Sequence, residues 1–146
     1  MSYATIDDLE TRYGRRELVQ LTDRAMPPSD EVDQAVAQLA LDDATDLIDG
    51  YVGAKYRLPL AAPFPPLLVQ LCAEIARFKL FADQASEEVR KRYEDAIRTL
   101  KGIAKGEVAL PIDALPGGSP EPSAREGVVA IESQPQIFTR ERMKGF

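Results

Sequence analysis

The sequence predicts an all-α protein: a small bundle of two short N-terminal helices and three longer ones, followed by an extended C-terminal arm. Three observations point there. Apolar residues recur at three- and four-residue spacing through residues 30–56, 66–81 and 86–105. Prolines and the residues that cap helices gather between those stretches. Beyond Leu110 the periodicity stops, and four prolines with an adjacent pair of glycines mark residues 111–126 as a linker.

The first helix opens at Thr5-Ile6-Asp7-Asp8. The Thr5 hydroxyl can accept from an orphan backbone N–H, and Asp7 and Asp8 suit the positive end of the helix dipole. Gly14 supplies a left-handed stop after Tyr13, and a second short helix covers Arg15 to Leu21. Thr22 to Ser29 contains Pro27-Pro28 and reads as a loop. Ser29 or Asp30 then caps a long helix reaching about Tyr56. Its apolar positions form two neighbouring stripes, Val32, Val36, Leu39, Ala40, Leu47 and Tyr51 beside Leu41, Ala44, Ile48 and Val52. Gly50 and Gly53 near its end are expected to allow close packing.

Pro59, Pro63, Pro65 and Pro66 break the chain before a helix from Pro66 to about Phe81. That helix is apolar nearly all round apart from Gln70, Glu74 and Arg77, and is therefore expected to be the central one. Glu74 and Arg77 are spaced to pair with each other. Ser86 caps the last helix, with Val89, Tyr93, Ala96, Ile97, Leu100 and Ala104 as its single apolar stripe and Gly106 as its end. Glu87–Lys91, Glu88–Arg92 and Glu94–Arg98 stand in the favourable i,i+4 order. The chain thus divides into a helical domain over residues 1–110 and a linker with a terminal arm over 111–146. Within the arm, Val128-Val129-Ala130-Ile131 has the character of a short strand.

Composition closes many routes to chemistry. With 146 residues the chain can bury the core of one domain. It has no His, no Trp and one Cys. Imidazole zinc sites, catalytic triads and His proton shuttles are therefore excluded. Cys72 sits in the apolar run Leu67 to Ala73, where a buried small hydrophobe is expected in preference to a nucleophile. No apolar run is long enough to span a bilayer, and the N-terminus lacks the order of a secretion signal. The protein is expected to stay inside the cell that makes it. No catalytic residue, metal or cofactor is expected.

Charge is uneven: residues 1–60 hold twelve acidic and six basic residues, whereas 61–146 are neutral. An acidic first half opposes a DNA-gripping surface there. Asp42, Asp46 and Asp49 share one face of the long helix. They lack the spacing and glycine turn of a calcium loop, so a solvated acidic face, a subunit contact or a partner for Arg15 or Arg16 is expected. Gly117-Gly118-Ser119 is a joint and not a phosphate loop, because no strand precedes it and no Lys follows. The terminal segment sets Ile137, Phe138, Met143 and Phe146 among Arg140, Arg142 and Lys144. A linker ending in apolar and basic anchors suits docking on another subunit or protein. Folding back on its own domain is the alternative.

Several ordered pieces resemble one family. Tyr3-Ala4-Thr5-Ile6-Asp7-Asp8-Leu9 with Arg12-Tyr13-Gly14, then Ala40-Leu41-Asp42-Asp43-Ala44 and Ile48-Asp49-Gly50-Tyr51, are similar to segments of the Mu-like bacteriophage structural proteins. Lys55-Tyr56-Arg57-Leu58-Pro59-Leu60, Cys72 to Leu80, Arg92 to Ile97 and the closing Phe138-Thr139-Arg140 continue the match in the same order. That family in turn resembles phage head–tail connectors, also called adaptors or head-completion proteins, in helical layout. The resemblance implies a ring of identical subunits between the portal protein and a tail or tail-completion protein. DNA would pass through the ring without specific binding, and no membrane would be involved. It also implies a place in the host bacterial cytoplasm during assembly and at the head–tail junction of the virion. The other reading is a small helical nucleic-acid-binding or packaging-associated phage protein, which the acidic balance disfavours.

Overall fold

A computed structural model describes residues 1–113, and the fold follows from where local capping ends each helix. Helix α1 spans Ile6–Tyr13 and opens on a capping box: the Thr5 hydroxyl accepts from the Asp8 N–H, and the Asp8 carboxylate accepts from the Thr5 N–H. Gly14 at φ +90° ends α1 and turns directly into α2, Arg15–Thr22. A side chain at that φ would be strained.

The next boundary differs from the sequence expectation. Helix α3 spans Gln34–Val52, so it starts later than Ser29 or Asp30 and stops short of Tyr56. Asp23 accounts for the late start. Its carboxylate accepts from the backbone N–H groups of Ala25, Ser29 and Asp30, folding 23–30 into a tight loop with Asp30 at φ +56°. These bonds hold the Asp23 carboxyl below its usual range. Asp33 is the cap, accepting from the N–H groups of Ala35 and Val36. Buried Thr22 joins the two helices: it donates to the Leu18 carbonyl and accepts from the Asp33 N–H. At the other end Gly53 is needed for close approach, since a Cβ there would stand 3.1 Å from Leu58 and 2.9 Å from the Asp49 carbonyl. Gly50 faces open space and plays no such part.

Helix α4, Pro66–Phe81, buries Leu68, Leu71, Cys72, Ala73, Ile75, Ala76 and Leu80. It touches α1, α2 and α3, and also the last helix, α5, Glu87–Lys105, which makes it the centre of the domain as its composition predicts. One 3-10 turn, Ala82–Gln84, joins α4 to α5, and Ser86 caps α5 through the Val89 N–H. Phe78 and Tyr93 stack between the two helices with centroids 4.0 Å apart. Left-handed Gly106 closes α5, and Val108 folds back over Gly102. Buried Leu110 then donates its N–H to the Tyr56 hydroxyl at 2.8 Å, which roots the end of the described chain beside the end of α3. No strand occurs among the described residues.

Two details of the predicted surface are corrected. Leu39 is 63 % exposed, because at 3.6 residues per turn it lies roughly opposite the buried stripe of Leu41, Ala44, Ile48 and Val52. Of the three i,i+4 pairs on α5, Glu88–Arg92 forms at 2.9 Å, while Arg98 takes Asp95 in place of Glu94. No Glu87–Lys91 bridge forms. Because α4 is enclosed by four helices, Ile75→Ala should lower unfolding stability by about 2–5 kcal/mol. Urea denaturation followed by far-UV circular dichroism measures this.

Candidate interaction surface

The acidic residues of α3 divide into two groups with different tasks. Residues 2–5 run as a strap along one side of the helix. Asp42 accepts from the Ser2 hydroxyl at 2.6 Å and the Gln38 amide at 2.9 Å. Three residues after Asp42, the buried Thr45 hydroxyl accepts from the Tyr3 N–H. The Tyr3 hydroxyl donates to Asp49, and its ring sits edge-on to Phe64 with centroids 4.9 Å apart. Burial, with the Asp49 carboxylate second, raises the Tyr3 pKa far above its ordinary value, so the hydroxyl remains a donor. The Ser2 and Gln38 bonds hold the Asp42 carboxyl below its usual range. Asp42, Asp46 and Asp49 do share one side of α3, but Asp42 and Asp49 fasten the strap. Asp46 has no hydrogen-bond partner among the described residues and is exposed.

The outermost face of α3 is therefore built of Leu39, Asp43, Asp46 and Gly50, all exposed. From Gln34 to Val52 the helix carries four carboxylates and no Lys or Arg. Arg15 and Arg16 do not pair with these acids. Among the described residues no three His, Cys, Asp or Glu side chains are placed to hold a metal. An open cleft of about 830 Å³ lies beside the strap, edged by Arg15 and Glu31, and it is not enclosed.

A second surface belongs to α5. Glu94, Arg98, Lys101 and Lys105 form one exposed stripe. At its upper end a shallow depression of about 340 Å³ has half-buried Tyr93 and Ile97 as its floor and Glu94, Arg98 and Lys101 on its rim. Sequence reasoning missed this depression, because Tyr93 and Ile97 read simply as core positions.

It also missed the polar joint that seats α1 and α2 on α4. Arg77 makes a two-pronged bond to Glu17 at 3.1 and 2.7 Å, and its guanidinium lies 4.3 Å from the Tyr13 ring centroid. Glu74, the expected partner, takes the Gln70 amide instead. A rigid fork aimed across the helix interface outcompetes a solvent-side pair three residues away. Ile137, Phe138, Arg140, Arg142, Met143, Lys144 and Phe146 lie outside the described residues, as do Val128 to Ile131.

Comparison with known proteins places the chain. Residues 3–130 match the family described as Bacteriophage Mu, Gp36. The chain belongs to the Mu Gp36 family. It is 38 % identical over 146 residues to "Gene product J" of Escherichia phage Mu, covering 100 % of this chain and 99 % of that one. It is 34 % identical over 144 residues to "Mu-like prophage FluMu protein gp36" of Haemophilus influenzae, covering 99 % of this chain and 97 % of its relative. This Gp36-family chain is a Mu-like phage protein along its whole length. No helix among its described residues is long and apolar enough to cross a membrane.

The strap gives a direct test of the geometry. Tyr3→Phe removes a bond to a half-buried carboxylate and should cost about 1.5–3 kcal/mol. The midpoint of urea unfolding reads the loss, and unchanged stability would show that the strap is not fastened there.

Proposed function

We propose that this Gp36-family protein is a virion assembly subunit, a head–tail connector that forms a ring between portal and tail and lines the DNA channel. The observation that carries the reading is the separation of charge on two rigid helices of one small domain. An acidic outer face on α3 and a basic stripe on α5 suit repeated head-to-tail contact between copies, the kind of contact that closes into rings. The shallow, open depressions of the described residues suit contact with macromolecules better than enclosure of a small substrate. Membership of a phage family along nearly the entire chain supports the setting.

In this reading the terminal segment, with Phe138, Arg140, Arg142 and Phe146, docks on a neighbouring subunit, the portal or a tail protein. Acidic residues facing the lumen would repel DNA and let it pass without sticking. The chain then acts as a coupling piece and not as an enzyme.

Negative-stain imaging of the purified protein with the portal protein of the same phage tests the reading. A ring added to the portal is expected, and an undecorated portal at saturating protein would overturn it. Deleting residues 136–146 should leave the helical domain folded and abolish assembly on the portal. A ring unchanged by the deletion would remove the docking role from the segment. Asp43→Asn with Asp46→Asn, which spares the strap held by Asp42, should alter assembly at low salt and lose that effect at high salt, as expected of exposed charges.

A further inference from the structure

Leu39 is the one large apolar side chain on the outer face of α3, 63 % exposed and set among carboxylates. On α5 the complementary shape is present. A depression floored by Tyr93 and Ile97 has Glu94, Arg98 and Lys101 on its rim, with Arg98 also bound to the exposed Asp95 at 2.8 Å. It lies beside the Phe78–Tyr93 stack and opens onto the exposed stripe of α5. An exposed leucine with Asp42 and Asp43 one turn further on and a hollow whose rim carries two bases to one acid match in shape and in the opposite signs of their net charge.

The register fits as well. Leu39, Asp43, Asp46 and Gly50 stand at steps of four, three and four residues along α3. Glu94, Arg98, Lys101 and Lys105 repeat the same steps on α5. Stripes of equal pitch on two helices can face each other along their length. Gly50 faces open space and presents no side chain to hold the helices apart. The two stripes lie on different helices of one subunit, so each copy carries one of each.

We propose that Leu39 of one copy seats in the Tyr93–Ile97 depression of the next, with Asp43 and Asp46 against Arg98 and Lys101. The occupant of the α3 face is thus a second copy of this chain, and the contact is heterologous. Each subunit uses its α3 face on one neighbour and its α5 face on the other, which allows the series to close. The inference rests on the connector reading for its setting and adds the residues of the contact.

Two charge-reversed, full-length variants test it: Asp43→Lys with Asp46→Lys, and Arg98→Glu with Lys101→Glu. All four positions are exposed, so circular dichroism should show both variants folded. Sedimentation velocity should show wild-type association weakening with salt, and each variant alone dissociated. An equal mixture of the two variants should associate again, because each restores opposite charge at the other's faces. Leu39→Ser should weaken wild-type association by about tenfold or more.

Association of either variant alone at wild-type strength, or a mixture that stays dissociated, would overturn the pairing. So would a wild type that is monomeric up to its solubility limit. Loss of association on removing residues 136–146 and in Asp43→Lys with Asp46→Lys, but not in Arg98→Glu with Lys101→Glu, would overturn the pairing and give the Leu39 face to the tail instead. Portal-bound rings that form equally well with both variants would end this pairing and leave the connector reading intact. Variants that behave as expected beside a bare portal would do the reverse.

Discussion

The fold turns on one requirement, that a helix apolar almost all round be covered on every side. Helix α4 meets it by taking α3 and α5 on two flanks and the α1–α2 pair on a third. Small side chains at Cys72, Ala73 and Ala76 keep the surface of α4 low. Against α3 the spacing is close enough that the Cys72 sulfur lies 3.7 Å from the Thr45 hydroxyl and 3.8 Å from the Leu41 carbonyl. The contact also sets the place of the strap, since the same Thr45 hydroxyl receives the Tyr3 N–H. One buried polar side chain thus ties the first residues of the chain to its centre.

With the interior committed to packing, the proposed contacts of the described residues fall on the outer faces of α3 and α5. Acidic charge dominates the outer face of α3, whereas α5 pairs Glu88 with Arg92 and Asp95 with Arg98 and carries Lys101 and Lys105 besides. The four carboxylates of α3 meet no cation of their own helix, whereas Arg98, Lys101 and Lys105 crowd the second half of α5. Within a monomer such segregation gains little from exposed pairs. Between copies, in the proposed ring, the same arrangement would guide orientation and approach.

Helix existence and type were legible from periodicity because each of the three long stripes buries against a neighbour. The Thr5, Ser86 and Gly106 caps were legible too, since they act within one turn of their own sequence. The start of α3 was not, because Asp23 organises the intervening loop and Asp33 displaces Asp30 as the cap. Arg77 was misassigned for a related reason: Glu17 lies sixty residues away in sequence, and no local spacing reports it. At the candidate surface, Asp42, Asp46 and Asp49 were correctly gathered on one side. The strap that occupies two of them depends on tertiary placement of Tyr3, and the depression on α5 exists only once Tyr93 has stacked on Phe78.

Cys72 has a bearing on where such a protein can work. It is the only sulfhydryl in the sequence, it is fully buried, and burial pushes its thiol pKa up. The reactive thiolate is therefore scarce and out of reach of soluble oxidants. The exterior offers no sulfur for disulfide exchange, glutathionylation or accidental cross-linking between copies. A subunit made in a reducing compartment would keep the same covalent structure after release into an oxidising one, with no change of redox chemistry to accommodate.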